Sequence, residues 1–237
     1  MSSRKKRKKK KNNNLLLIIC IIIIYLLYKG NIIGNTYSTN EYLVSYNKED
    51  IPEYNGKDYV VLNNNNPYFE DYTSEEFEIY GPLDYLGRCT YAYANVSKNA
   101  MPTKERERLF VKPSGWQISK YDFIDGKYLY NRCHLIGYQL TGENDNEKNL
   151  ITCTREMNTG IMLEYENKVA RYVRRTNNHV MYRVTPVFED DDLLAKGVIM
   201  EGYSVEDSGT GIKFNIFVYN VQDGVIIDYS NGDNYPE

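Results

Sequence analysis

The 237-residue chain is 42% apolar and 26% charged, which suits one folded domain with an appended segment and excludes a wholly disordered or fibrous chain. Its net charge of −3 is unevenly spread: without the basic residues Arg4–Lys11 and Lys29, 20 Lys+Arg face 32 Asp+Glu, a balance of −12. Nucleic-acid binders are usually basic; this composition leaves a polyanion only a local cationic patch or a metal site.

The first element is a run of eight basic residues, Arg4–Lys11, separated by Asn12–Asn14 from the uncharged stretch Leu15–Tyr28. Basic residues before an apolar segment predict a cytoplasmic N-terminus and an extracellular remainder. Fourteen residues are short for a span, but Ile32 and Ile33 lengthen it if Lys29 snorkels. The reading is a basic cytoplasmic N-terminus (1–14), a single-pass signal anchor at the cell membrane (15–33), a polar tether (34–56) and an extracytoplasmic domain (57–237). If the apolar segment is instead a cleaved signal peptide, the domain is secreted.

Within the domain, β-branched and alternating runs predict strands at Tyr59–Leu62, Phe77–Tyr80, Thr90–Val96, Val180–Val187, Val198–Val205, Phe214–Val221 and Val225–Tyr229. Gln222-Asp223-Gly224 predicts a hairpin turn joining the last two. Asn63–Asn66 predicts a turn. Met162, Tyr165, Val169, Tyr172 and Val173 recur at helical spacing and predict a helix over Asn158–Arg175, acidic residues leading and basic ones following as the helix dipole favours. Strands outnumber helices, so the fold class is α+β with an antiparallel sheet.

Four cysteines are present: Cys20, Cys89, Cys133 and Cys153. With Cys20 in the apolar segment, three remain and at most one bridge forms among them within the chain. None has Cys-x-x-Cys spacing and only two histidines accompany them, so a structural zinc site is not expected.

The chemistry concentrates in Tyr130-Asn131-Arg132-Cys133-His134 and in Lys148-Asn149 to Glu166. If the first stretch is a strand, Arg132 and His134 share a face, placing a phosphate-binding guanidinium beside an imidazole that titrates near neutral pH. A lone histidine among apolar residues is more often a satisfied core residue than a catalyst. His179 follows a turn-like stretch and is expected to be structural or exposed. Asn158, at the predicted helix start, would ordinarily be a cap. Its amide oxygen is also a neutral hard ligand suited to Mg²⁺. Asn158 and Glu166 lie eight residues apart, about 80° around a regular helix, so both could face one metal, one directly and one through water.

These residues resemble the DNA/RNA non-specific endonucleases of the ββα-metal superfamily, which include membrane-bound streptococcal DNA-entry nucleases. The family's Asp-Arg-Gly-His motif is matched by Asn131, Arg132, Cys133 and His134, with two departures, and the likeness spans roughly two thirds of the chain. The resemblance implies a central antiparallel sheet flanked by helices. It implies His134 as general base, Asn158 as ligand of one Mg²⁺ (Mn²⁺ able to substitute), Glu166 on metal-bound water, Asn149 supporting the site and Arg132 on phosphate. Arg106 and Arg108 are both candidates for a further phosphate-binding arginine. Cys133, in place of Gly, is a candidate to bridge to Cys89, although connectivity does not follow from sequence.

The expected function is therefore Mg²⁺-dependent, weakly sequence-selective hydrolysis of DNA and possibly RNA, with no small-molecule cofactor and the membrane as a partner of the N-terminal segment. A catalytically degenerate binding module of the same fold, or a surface interaction domain, is the alternative. The departures at Asn131 and Cys133 and the acidic balance favour it; the retained His134, Asn149, Asn158 and Glu166 oppose it.

Overall fold

The structure, a computed structural model, describes residues 50–237. The predicted membrane segment at 15–33 lies outside the described residues, as do positions 34–49 of the predicted tether. Among the described residues no helix is long and apolar enough to cross a membrane.

All seven predicted strands form. They are β1 (Tyr59–Val61), β2 (Glu78–Tyr80), β3 (Ala92–Val96), β6 (Val180–Val187), β7 (Gly197–Ser204), β8 (Lys213–Tyr219) and β9 (Val225–Ile227). Three more were not predicted as strands: β4 (Tyr130–His134), β5 (Leu150–Thr154) and β10 (Asn234–Pro236). The main sheet is wholly antiparallel in the order β1-β8-β7-β6-β3-β2. The β4–β5 pair forms a separate hairpin, paired from Tyr130↔Thr154 to His134↔Leu150.

The predicted hairpin between the last two strands does not form. β9 pairs with β10 instead, because the chain leaves the sheet at Asn220. That side chain is fully buried and bonds elsewhere: it donates to the carbonyls of Ala195 (2.9 Å) and Thr152 (3.3 Å), and accepts from Thr154 N (2.9 Å). It thereby ties β5 to the sheet.

The predicted helix forms and extends further toward the N-terminus. Short helix α1 (Tyr138–Thr141) precedes it. The helical run then opens with α2 (Arg155–Met157), passes through a π turn (Asn158–Met162) and continues as α3 (Leu163–Thr176). Met162, Tyr165, Val169, Tyr172 and Val173 are all buried, as their spacing predicts. They pack with Ala92 and Ala94 of β3, Tyr182 and Val184 of β6, and Phe214 and Ile216 of β8. The small alanines let the helix approach the sheet, and the Tyr165 ring meets Phe214 edge-on at 4.7 Å. Large side chains buried this way stabilise the fold by about 1.5–3 kcal/mol each.

The opposite face of the sheet is covered as well. Buried Arg183 pairs with buried Glu201 at 2.8 Å and donates to Tyr68 O, while Tyr68 N donates to Glu201. This satisfied network holds the segment before β2 against the sheet. Ile51 packs onto Phe217 and Tyr219, and the Tyr219 hydroxyl donates to Pro52 O. The Asn63–Asn66 turn uses positive φ at Asn63, Asn64 and Asn65, a conformation that asparagine tolerates better than most residues.

Candidate active site

The β4–β5 hairpin followed by the α2–α3 helical run is the chemically loaded part of the molecule. His134 closes β4, Asn149 immediately precedes β5, and Asn158 and Glu166 lie on the helix that β5 feeds into. Strand identity puts Arg132 and His134 on one side of β4 and Asn131 and Cys133 on the other.

Cys133 is bridged to Cys153, not to Cys89. Asn131 pairs with Cys153 and Cys133 with Ile151, so the two cysteines are diagonal neighbours on adjacent strands, with Cα atoms 5.9 Å apart. Cys89 is a free, buried thiol that donates to Glu147 O and Leu150 O, and burial pushes it up to about 12.

His134 is only 7% exposed. Its Nε2 lies 2.6 Å from Asn144 O. A carbonyl can only accept, so Nε2 carries the proton and the neutral ring keeps its lone pair on Nδ1. Burial pulls the ring down to about 4; the Asn144 carbonyl opposes this, Arg106 adds to it and Asp145 opposes it. At neutral pH the ring is an unprotonated base.

Asn149 has no exposed surface. It brackets Ile136: its Oδ1 accepts from Ile136 N at 2.9 Å and its Nδ2 donates to Ile136 O at 3.0 Å. Its own carbonyl accepts from Leu135 N. It fixes the chain where it leaves His134.

Asn158 is not the helix cap. Thr154 caps instead, its Oγ1 accepting from Met157 N at 3.1 Å. The Asn158 side chain donates through Nδ2 to Asn131 Oδ1 at 3.3 Å, which turns its own oxygen away from that contact. The π turn beginning at Asn158 changes the expected geometry. A π turn takes up one more residue than an α turn, so the eight residues to Glu166 cover about two full turns, not two turns and 80°. On that count alone the offset of about 80° expected of a regular helix is removed; in the structure Asn158 contacts Asn131, while Glu166 lies against Gly137.

Glu166 is buried against Gly137, where any side chain would collide with its carboxylate oxygens. Burial pushes its carboxyl up to about 7, against the opposing effects of Gln139 and Arg106. Arg106 thus acts electrostatically on both His134 and Glu166. Arg108 instead lies over the Phe110 ring, 5.5 Å from its centroid. The structure separates two arginines that the sequence could not.

Arg132 lies over the Trp116 ring, its Cζ 4.1 Å from the centroid, and donates through Nε to Val111 O. Its two terminal nitrogens make no hydrogen bond to another described residue. His179 is paired with Glu206.

Among the described residues no group of three or more His, Cys, Asp or Glu side chains is arranged to hold a metal ion. One amide oxygen and one carboxylate fit a hard cation that keeps most of its waters, which is how Mg²⁺ is usually held.

The sequence model of the family described as DNA/RNA non-specific endonuclease matches residues 68–206, from the covering segment before β2 to the end of β7. Among solved structures, NucA from Streptococcus agalactiae with magnesium bound is 25% identical, with a TM-score of 0.67 over 75% of this chain and 86% of that one. The Sda1 nuclease with bound zinc is 28% identical, with a TM-score of 0.58 over 68% of this chain and 81% of that one. A protein described as an extracellular endonuclease, 20% identical with a TM-score of 0.57, shares the fold.

Proposed function

Because the chain belongs to the DNA/RNA non-specific endonuclease family, we propose that it hydrolyses phosphodiester bonds of DNA, and of RNA, with His134 as general base and one divalent cation. The observation that carries this is the His134 ring: buried, neutral at pH 7, and oriented by Asn144 so that Nδ1 is its accepting nitrogen. A base of this kind takes a proton from water as the water attacks phosphorus. Arg106, electrostatically coupled to His134 and Glu166, and the terminal nitrogens of Arg132 bind the non-bridging oxygens. Asn149 holds the strand end that carries His134. These contacts are to phosphate and leave base identity unread.

Asn158 and Glu166 would hold the cation, which we assign as Mg²⁺ with Mn²⁺ able to replace it. When bound, it would neutralise charge developing on the phosphate and stabilise the departing oxygen. Magnesium in the NucA structure supports this assignment; zinc in the Sda1 structure supports a divalent cation in general. We also place the domain outside the cell, tethered at the membrane by 15–33 or released if that segment is cleaved. The support is the order of the basic run and apolar stretch.

The test is digestion of plasmid, single-stranded DNA and RNA by the full-length chain. Cleavage should stop in EDTA, return with Mg²⁺ or Mn²⁺, and vanish in His134→Ala. Full cleavage in chelator would refute the metal assignment, and normal cleavage by His134→Ala the base. No cleavage of any substrate under any metal would favour the degenerate binding module, to which Asn131 and Cys133 in the motif already point.

A further inference from the structure

One large apolar side chain beside the active site is neither buried nor used by the chemistry above. Phe110 is 69% exposed, in an irregular segment between β3 and β4. An exposed phenylalanine on a loose loop would be unremarkable, but the backbone here is pinned. Phe110 N and Val111 N both donate to the Asp145 carboxylate at 3.0 Å. Val111 O accepts from Arg132 Nε. Farther back, the Tyr138 hydroxyl donates to Lys104 O. Asp145 directly follows Asn144, whose carbonyl orients His134. The same short segment is thus bonded to the strand bearing Arg132 and to the loop that sets the catalytic ring.

The Phe110 ring also carries a cation, the Arg108 guanidinium, at 5.5 Å from its centroid. Among the described residues Arg106, Arg108 and Lys112, all exposed, have no carboxylate ion-pair partner. An exposed aromatic on a pinned backbone, in a segment whose cations Lys104, Arg106, Arg108 and Lys112 outnumber its carboxylates Glu105 and Glu107, is the composition of a single-strand platform: base stacked on ring, phosphates on cations.

Resting on the nuclease reading above, we infer that Phe110, backed by Arg108, is a stacking platform for one unpaired nucleobase of the substrate strand next to the scissile phosphate. The platform accepts any base, since every base has a π-face. It favours strands whose bases are already unstacked: single-stranded DNA or RNA, frayed ends and nicked sites.

The test compares Phe110→Ala, Phe110→Leu and Phe110→Trp in the full-length chain, each in a His134→Ala background. Binding is read by anisotropy on a single-stranded oligonucleotide and on the same oligonucleotide carrying abasic sites. Phe110→Ala should weaken binding of the base-bearing strand roughly tenfold and change the ratio between the two strands by a similar factor. Phe110→Trp should restore affinity and Phe110→Leu should not, because stacking needs a π-face and not merely apolar bulk. A 2-aminopurine in the strand should be quenched by the Phe110→Trp protein and less so by Phe110→Ala. Equal losses on both strands, or a leucine as good as tryptophan, overturns the platform while leaving the nuclease assignment intact. Cleavage by His134→Ala itself would instead overturn the assignment on which the platform rests. Thermal midpoints check that the exposed substitutions leave the fold unchanged.

Discussion

Replacing Asn149 by alanine tests whether the site's geometry depends on a fully buried amide. The amide makes two hydrogen bonds to Ile136, of 2.9 and 3.0 Å, in a region with no solvent access. Alanine leaves the Ile136 N–H and C=O without these partners, at about 1–3 kcal/mol each. The sum, roughly 2–6 kcal/mol, is a large share of the 5–15 kcal/mol typical of a folded domain. For a domain of this size it corresponds to a fall in Tm of roughly 5–20 °C. Aspartate keeps one acceptor but loses the donor and buries a charge, so it should not rescue. Urea and thermal melts of the full-length variants give the stability, and hydrogen exchange at the Ile136 amide gives the local opening. A loss below about 0.5 kcal/mol, or unchanged protection of that amide, would refute the clamp. A fully stable but inactive variant would do so too, and would return Asn149 to direct chemistry.

Three further outcomes follow from the site. His134 has a folded pKa of about 4 against 6.5 for the free ring, so between these values the unfolded chain binds the proton more readily. The stability from keeping the ring neutral is complete above about pH 6.5, is lost as pH falls toward 4, and amounts to about 3 kcal/mol. His134→Gln should therefore cut cleavage at least a hundredfold yet flatten the acid limb of a pH–Tm curve; an unaltered limb would show that the ring is not held neutral. Arg106→Ala should lower kcat/KM by roughly a hundredfold, more than Arg108→Ala, and raise the His134 pKa by removing a cation that lowers it. An NMR titration in which His134 does not move would put Arg106 elsewhere. Reduction with dithiothreitol, or Cys133→Ser with Cys153→Ser, should cost about 3 kcal/mol from the 20-residue loop closed by the bridge; the double variant should then be insensitive to reductant, whereas a urea midpoint that ignores reductant in the unsubstituted chain would contradict the pairing.

The main sheet and the helix were legible because their residues face one another in layers, so periodicity alone marks them. Val180–Val187 and Phe214–Val221 read as strands without any knowledge of their neighbours. β5 is equally readable in kind, since Leu150-Ile151-Thr152-Cys153-Thr154 is a β-branched run. What stayed hidden depends on long-range partners. The hairpin expected after β8 failed because Asn220 bonds to β5 and to Ala195, contacts that no local pattern carries. The cysteine pairing depends on strand register, and the different surroundings of Arg106 and Arg108 on the path of an irregular loop. The cap that an asparagine at a helix start ordinarily supplies comes from Thr154 instead, and the Asn158 amide donates to Asn131.

The π turn has a consequence for how this molecule tolerates change. Two fixed anchors bracket it: Thr154, bonded to Met157 N and Val221 O, and the apolar stripe from Tyr165 to Val173, locked into the core. The surplus residue between them sets the angular phase of one anchor against the other. Gly160, with φ −88° and ψ −112°, is where the backbone departs from helical values, and nothing stands within 4 Å of the place where a side chain would begin. Space would therefore admit an alanine, but helix propensity would draw the run toward a regular spiral and swing Asn158 by roughly a quarter turn from Glu166. Local helix stability and the phase between the two anchors pull in opposite directions at that one residue.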